Sequence, residues 1–185
     1  GEGCLIRLAA SRLGIDHLVR AEQVLCGRND TRHRINADVR RALGRETAYP
    51  EEGDRIMFLK NNKEHSIVNG MTGVCTSGQY DFSERAGTIS VDVEIEDGRE
   101  MVANLLVPHF QFPGDKDAVW SVPGWSRKKN LHADYAFCAT VHKMQGSQVA
   151  SGIMLEEPLG KTDEMRRRWR YTGITRFAES AIIAA

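Results

Sequence analysis

Thr140-Val141-His142-Lys143-Met144-Gln145-Gly146-Ser147-Gln148 follows directly on Tyr135 to Val141, an apolar run of strand length. A buried strand that opens into a polar loop is the arrangement in which open α/β sheets collect ligands, at the carboxyl ends of their strands. Gly146 lets a backbone come close to a ligand. Ser147 and Gln148 offer hydrogen bonds. Thr140, His142 and Lys143 put a hydroxyl, an imidazole and a cation side by side, a set suited to phosphate oxygens. From these residues alone, a binding loop and a plain structural turn are equal readings.

Working outward, the flanking segments read as a layered α/β domain. Gly152 to Leu155 is a second apolar strand, and Ser180 to Ala184 a third. Between them Thr162 to Arg176 reads as a helix, with Thr162 as N-cap and Asp163 and Glu164 in the first turn. Near the start, Leu5, Leu8, Leu13 and Leu18 predict a helix over Cys4 to Val19. Gln23 to Gly27 is short, β-prone and ended by glycine. The capping set Asn29-Asp30-Thr31 precedes Arg32 to Leu43, where Ile35, Val39 and Leu43 make one apolar side. Strand, loop and helix in that order build α/β sheets.

The middle has a different period. Ile56 to Leu59 and Met71 to Thr76 read as strands. Ile89, Val91, Val93 and Ile95 alternate with Ser90, Asp92, Glu94 and Glu96, the two-residue period of a strand with one wet face. Asp97-Gly98 is a preferred hairpin turn, and Met101 to Val107 returns. The expected organisation is an α/β domain, residues 1–62 and 131–185, interrupted by a small antiparallel β-module over 63–130.

Charge follows the same division. Residues 1–45 hold nine arginines against five acidic residues, a net of +4. Residues 46–118 hold six basic and fourteen acidic groups, a net of −8, and residues 119–185 return to +4 with ten against six. Basic ends flanking an acidic middle suit a polyanion bound by the ends, although solvated arginines alone would give the same count.

With 41% hydrophobic and 27% charged residues, the 185-residue chain has the composition of a globular protein with a core. No apolar run approaches the roughly 18 residues that span a bilayer, and no secretory leader is visible, so the expectation is a cytoplasmic protein without a membrane partner. Cys4, Cys26, Cys75 and Cys138 form no Cys-x-x-Cys pair, and the histidines show no ligand spacing. The expectation is no metal site and no disulfide framework.

The second informative stretch is Arg167-Arg168-Trp169-Arg170-Tyr171-Thr172-Gly173-Ile174-Thr175-Arg176. Met165, Trp169, Thr172 and Arg176 share one helix face, so Arg176 leaves the end of a largely core-facing stripe. An arginine there is either paired with a neighbour or aimed at an anion, and arginine suits a phosphoryl group in transit.

Together the two stretches resemble motifs V and VI of superfamily-1 helicases, especially the RecD-like branch related to the alpha subunit of exodeoxyribonuclease V. Motif V is similar to Thr140 through Ser147, and motif VI to Tyr171-Thr172-Gly173-Ile174-Thr175-Arg176. Val24-Leu25-Cys26-Gly27-Arg28-Asn29 resembles the motif IV region. Gly53-Asp54-Arg55-Ile56-Met57, Lys60-Asn61-Asn62 and Asn69 to Val74 resemble the lead into that family's inserted SH3-like barrel. The resemblance implies a RecA-like second motor domain carrying an SH3-like β-barrel. It implies that Arg176 reaches the γ-phosphate of ATP as an arginine finger, with Arg28 in a similar role and Gly146 and Gln148 facing the nucleotide. Thr140, His142 and Lys143 would contact single-stranded DNA. ATP and Mg²⁺ are the implied cofactors, held mostly by an N-terminal RecA-like domain, with other nuclease or helicase subunits as further partners. Where the family commonly has glutamate after Gly-Ser this chain has Gln148, which can hydrogen-bond a ribose but brings no charge.

An ATPase of this class needs Gly-x-x-x-x-Gly-Lys-Ser/Thr. Gly160-Lys161-Thr162 matches its end, but Leu155 stands at the first glycine position and Glu156-Glu157 would repel a triphosphate. The expectation is therefore the C-terminal half of a DNA helicase, inactive alone. The rival is a non-catalytic α/β module that binds nucleic acid or protein. A nuclease finds no acidic cluster of metal-ligand spacing. Trp120, Trp125 and Phe110 are read as core of the small barrel rather than as base-stacking groups, and Arg127-Lys128-Lys129 as a solvated loop.

Overall fold

A computed structural model describes residues 4–77, 81–157 and 159–185. Residues 1–3, which enter the reading of a leaderless start, lie outside them. In chain order the first elements are β1 (Cys4–Leu8), α1 (Ile15–Arg20), β2 (Val24–Cys26) and α2 (Asn29–Ala42). Then come β3 (Arg55–Phe58), β4 (Thr72–Cys75), β5 (Asp81–Ser83), β6 (Thr88–Ile95) and β7 (Glu100–Leu106). Three short helices follow: α3 (Pro108–Gln111), α4 (Lys116–Ser121) and α5 (Gly124–Lys129). The chain ends with β8 (Ala133–Tyr135), β9 (Cys138–Thr140), β10 (Val149–Leu155), α6 (Asp163–Ile174) and β11 (Phe177–Ala184). They form two compact units, one of Gly1–Gly44 with Phe137–Ala185 and one of Arg45–Ala136.

The first unit is a parallel sheet in the order β1-β11-β10-β2-β9. Leu18 of α1 and Ile35 and Val39 of α2 pack with Val24, Cys26, Cys138 and Ile153 of the sheet. Gly173 lets α6 lie close to β10, since a Cβ there would meet Met154 Sδ at 2.7 Å. The expected helix over Cys4 to Val19 is a strand, a short 3-10 turn and a short helix instead. Cys4 to Leu8 pairs in register with Ser180 to Ala184. Leucine spacing fits a helix, but the open edge of β11 offers main-chain partners that local spacing cannot reveal. Helix α2 starts at Asn29, with Arg28 as its N-cap and no side-chain capping bond.

Strand β9 is the sheet's edge, and α2 completes it. The buried Asn36 carboxamide accepts from Cys138 N–H at 2.8 Å and donates to Cys138 C=O at 3.1 Å. Both main-chain groups that a further strand would satisfy are thus met by one side chain. Burial pushes the Cys138 thiol well above its ordinary pKa.

The second unit is an antiparallel sheet in the order β5-β6-β4-β3-β8, with β7 also paired to β6. Along β6, Ile89, Val91, Val93 and Ile95 are buried while Asp92 and Glu94 are exposed, as the alternation predicts. The Asp97-Gly98 turn is present, with Gly98 at φ +82 and Ile95 N–H donating to Arg99 C=O at 2.7 Å. The expected SH3-like closed barrel is not what the strands make. Among the described residues β7 meets the segment before β8 through the single bridge Leu105 to Leu131, and no ladder closes the ring. The chain between them forms α3, α4 and α5 instead of another strand.

The units divide at 44/45 and 136/137, not at 62/63 and 130/131 as the sequence suggests. The reason is pairing: β3 and β8 join each other antiparallel, Ile56 opposite Tyr135, and so belong to the second unit. The apolar run Tyr135 to Val141 is accordingly two strands, one ending in each sheet. Hydropathy identifies such a run as buried and says nothing of which neighbour it pairs with.

His132, buried just before β8, has Nε2 2.9 Å from Arg127 C=O and Nδ1 2.8 Å from His109 Nε2. A carbonyl only accepts, so His132 Nε2 carries the proton and Nδ1 accepts from His109. Burial, reinforced by the nearby Lys60 and Arg127 charges, lowers the His132 pKa, against the opposing pull of the Arg127 carbonyl.

Two measurements test these contacts. Asn36→Ala abandons both Cys138 groups and should cost about 2–4 kcal/mol in urea unfolding. Because the folded His132 pKa lies below the unfolded value, the unfolded chain binds more protons as pH falls below about 6.5. Stability should therefore be full above that pH and decline below it, and His132→Gln should flatten the slope of unfolding free energy between pH 7 and 5.

Candidate nucleotide and nucleic-acid interface

The loop after β9 is organised by turn hydrogen bonds. Lys143 and Met144 N–H donate to Thr140 C=O at 2.9 and 3.2 Å, and Val141 N–H donates to Cys26 C=O at 2.9 Å. Val141 and Met144 are buried and anchor the loop, while His142 and Gln145 are exposed. Gly146 has φ +97 with nothing within 4 Å of where a Cβ would stand, so its backbone borders open space. Thr140 is only 6% exposed and lies inside the strand end, whereas His142 presents its ring to solvent. Lys143 is half-buried.

Helix α6 forms as its sequence indicates, with Thr162 Oγ1 accepting from Met165 N–H at 3.2 Å and Trp169 buried. Arg176 leaves its C-terminal end half-buried. Its guanidinium donates to Thr172 C=O (3.2 Å), Ser147 C=O (3.3 Å) and Thr175 Oγ1 (3.2 Å). Gln148 Nε2 donates to Thr175 C=O at 3.3 Å, and Val149 N–H to Arg176 C=O at 2.9 Å. Two of these bonds, Arg176 to Ser147 and Gln148 to Thr175, tie the end of α6 to the 141–148 loop, and the Val149 bond carries the tie into β10. Among the described residues Arg176 makes no ion pair with a carboxylate. Three of its five N–H groups are committed to neutral oxygens, which leaves donors and an unneutralised charge for an anion.

Arg28 is elsewhere. It follows the carboxyl end of β2, where Cys26 is level with Thr140. Arg176 precedes the amino end of β11, where Val149 is level with Phe177. Leu25 is level with Met154, five residues further along β10. At about 3.3 Å per residue the two arginines are separated by at least roughly 17 Å along the strands. The structure therefore groups Arg28 with Thr140 and His142, and Arg176 with Ser147 and Gln148.

The Gly160-Lys161-Thr162 segment does not form a phosphate cradle. Glu157 turns back to the N-terminus of α2, accepting from Gly27 N–H (2.5 Å), Arg28 N–H (2.8 Å) and Thr31 Oγ1 (2.5 Å). Gly27 is needed there, because a Cβ would stand 2.9 Å from Glu157 Oε2 and 2.1 Å from Leu159 Cδ1. Glu156 pairs with Arg170 and, at 3.2 Å, with Arg7. The glutamate pair is legible in the sequence as hostile to phosphate. Its partners, more than a hundred positions away for Glu157, are not.

The tryptophans also differ from expectation. Phe110 is buried in the β-unit core, but Trp120 and Trp125 are 68% and 54% exposed. A three-helix segment has too little interior to cover them. Arg127, Lys128 and Lys129 belong to the last turn of α5 rather than to a loop.

Residues 135–184 match the family model of the UvrD-like helicase C-terminal domain. No curated protein matches the chain. Among solved structures, Pif1 from Bacteroides bound to single-stranded DNA is similar with a TM-score of 0.56 and 16% identity, over 92% of this chain and 44% of that one. The Bacteroides enzyme with ADP-AlF3 and single-stranded DNA gives 0.54 and 17% over the same shares. Pif1 helicase from Candida albicans gives 0.52 and 13%, over 87% and 44%. The fold thus resembles the part of these helicases that it matches, and the chain spans less than half of each of these proteins. No helix among the described residues is long and apolar enough to cross a membrane.

The Glu157 contacts give a direct test. Glu157→Ala leaves two N–H groups at the start of a 14-residue helix without their acceptor. Loss of about 1–2 kcal/mol of unfolding free energy is expected.

Proposed function

We propose that the first unit is the second motor domain of an ATP-dependent DNA helicase, in its finer assignment of the RecD-like branch. The observation that carries the reading is Arg176: a half-buried guanidinium with no carboxylate partner among the described residues, fixed to the loop that bears His142. ATP would supply a γ-phosphoryl group whose transferred charge needs a fixed cation, and the remaining Arg176 donors fit that need. Most ATP and Mg²⁺ contacts would come from a Walker-bearing RecA-like domain outside this chain.

The residues divide the work by place. Arg176 sits with Ser147 and Gln148 at one end of the sheet, where Gly146 leaves room beside the backbone. Gln148 holds the arginine's neighbour Thr175 and would meet the nucleotide through its remaining amide groups. His142, with Arg28 and Lys143, would grip the phosphates of single-stranded DNA, and the buried Thr140 would shape the turn that presents them. The bonds from Arg176 and Gln148 into the two segments give closure on nucleotide a direct mechanical route to the strand grip.

The 185-residue chain alone should show no sustained ATP hydrolysis, and its binding to single strands should be weak and fall as salt rises. In a polypeptide that also carries a Walker-type domain, Arg176→Ala should lower kcat by about 10³-fold or more. Steady ATPase from the isolated chain, abolished by Lys161→Ala, would overturn the half-motor reading. So would an Arg176→Ala motor of native turnover.

A further inference from the structure

The β-unit carries a group of residues that its own packing leaves unused. Helix α5 is anchored from beneath: the buried Ser126 donates its Oγ–H to Ala86 C=O at 2.5 Å, and Asn130 Nδ2 donates to Ser126 Oγ at 2.8 Å. That anchorage turns Trp125, Lys128 and Lys129, at positions i, i+3 and i+4, to solvent on one helix face. Arg127 lies at the side. Its carbonyl is held by His132 Nε2, and its guanidinium carbon stands 3.9 Å from the Trp120 ring centroid. Trp120 is nevertheless the most exposed of the three tryptophans, so its ring remains accessible with a cation already seated on it.

We propose that α4 and α5 form a binding surface for single-stranded nucleic acid, with Trp120 and Trp125 stacking on bases and Arg127, Lys128 and Lys129 taking phosphates. Several facts point to this occupant. Two indoles exposed by more than half within six residues cost hydration unless something covers them. Three cations interleaved with them, in a unit whose sequence is otherwise acidic, mark a local positive patch. An acidic peptide would satisfy the cations and leave the ring faces bare, while a duplex hides its base faces. A single strand offers both stackable bases and phosphates. The Trp120–Arg127 pair pre-positions an aromatic face and a cation together, as base and phosphate are joined in a nucleotide. This site lies within the second unit and stands apart from the motor reading, which rests on Arg176 and the 141–148 loop.

The test uses the 185-residue chain and a labelled oligodeoxythymidylate of about 20 nucleotides at low salt, read by anisotropy and by tryptophan quenching. Trp169 is buried, so quenching reports chiefly on Trp120 and Trp125. W120A and W125A should each weaken binding by about fivefold or more, with W120F and W125F less affected. K128Q and K129Q should each reduce the slope of log affinity against log salt by about 0.7. Circular dichroism confirms that the variants fold, which surface substitutions at these positions permit. H142A removes a motor contact, so a fall in its affinity read by anisotropy bears on the motor reading and not on this surface. Native affinity in a folded W120A/W125A double variant overturns the proposal, as does equal quenching by duplex DNA or by polyglutamate. If that double variant binds normally while H142A does not, the surface is refuted and the motor grip stands.

Discussion

The edge of the parallel sheet is held by one side chain. Strand β9 has only three residues and a neighbour on one side, yet it launches the loop that carries every proposed strand contact except Arg28. Asn36, reaching from α2, bonds both outward main-chain groups of Cys138 and so acts as the missing neighbouring strand. The buried Gln23 carboxamide does related work from within, donating to Val24 C=O at 3.0 Å and Phe137 C=O at 3.3 Å. A loop can hold exposed groups at fixed positions only if its root is rigid, and a short edge strand is rigid only when its polar groups are met. Everything downstream, including the Arg176 bond to Ser147, presupposes that root.

A second constraint is the disposal of negative charge. Glu156 and Glu157 follow directly on β10, at the carboxyl end of a parallel strand where an anion could otherwise settle. The fold consumes them internally, one against Arg170 and Arg7, the other at the N-terminus of α2. The consequence is a division of the sheet into two ends. One presents Arg28 and His142, and the other presents Arg176 without a carboxylate among the described residues. The proposed contacts with two different anions draw on this separation, with the 141–148 loop running between the two ends.

Legibility in the sequence varied by the range of the interaction involved. The α6 cap at Thr162, the alternation along β6 and the Asp97-Gly98 hairpin all depend on residues within a few positions, and each forms as read. The candidate loop and Arg176 stand out in the sequence because a motif is a local pattern, and their roles belong to the proposal. What was not legible depended on distant pairing: Cys4 to Leu8 became a strand because β11 offered an edge. Tyr135 to Val141 split because β3 captured its first half and β2 its second. The sheet of the second unit stays open because three helices occupy the chain before β8. The tryptophans came out exposed because short helices cannot enclose them.

Composition and local pattern thus determined the α/β layering with a β-rich interruption, the positions of most strands and the two segments that carry the motif resemblance. Periodicity and capping act over one or two turns of chain, and there the sequence is its own context. Only the tertiary structure decided where the units divide, that Glu157 fills the α2 terminus, that Arg28 and Arg176 stand at opposite ends, and that Trp120 carries the Arg127 cation. Those outcomes depend on which far residues compete for the same hydrogen bond or the same buried space. That competition is resolved only when all the elements pack at once.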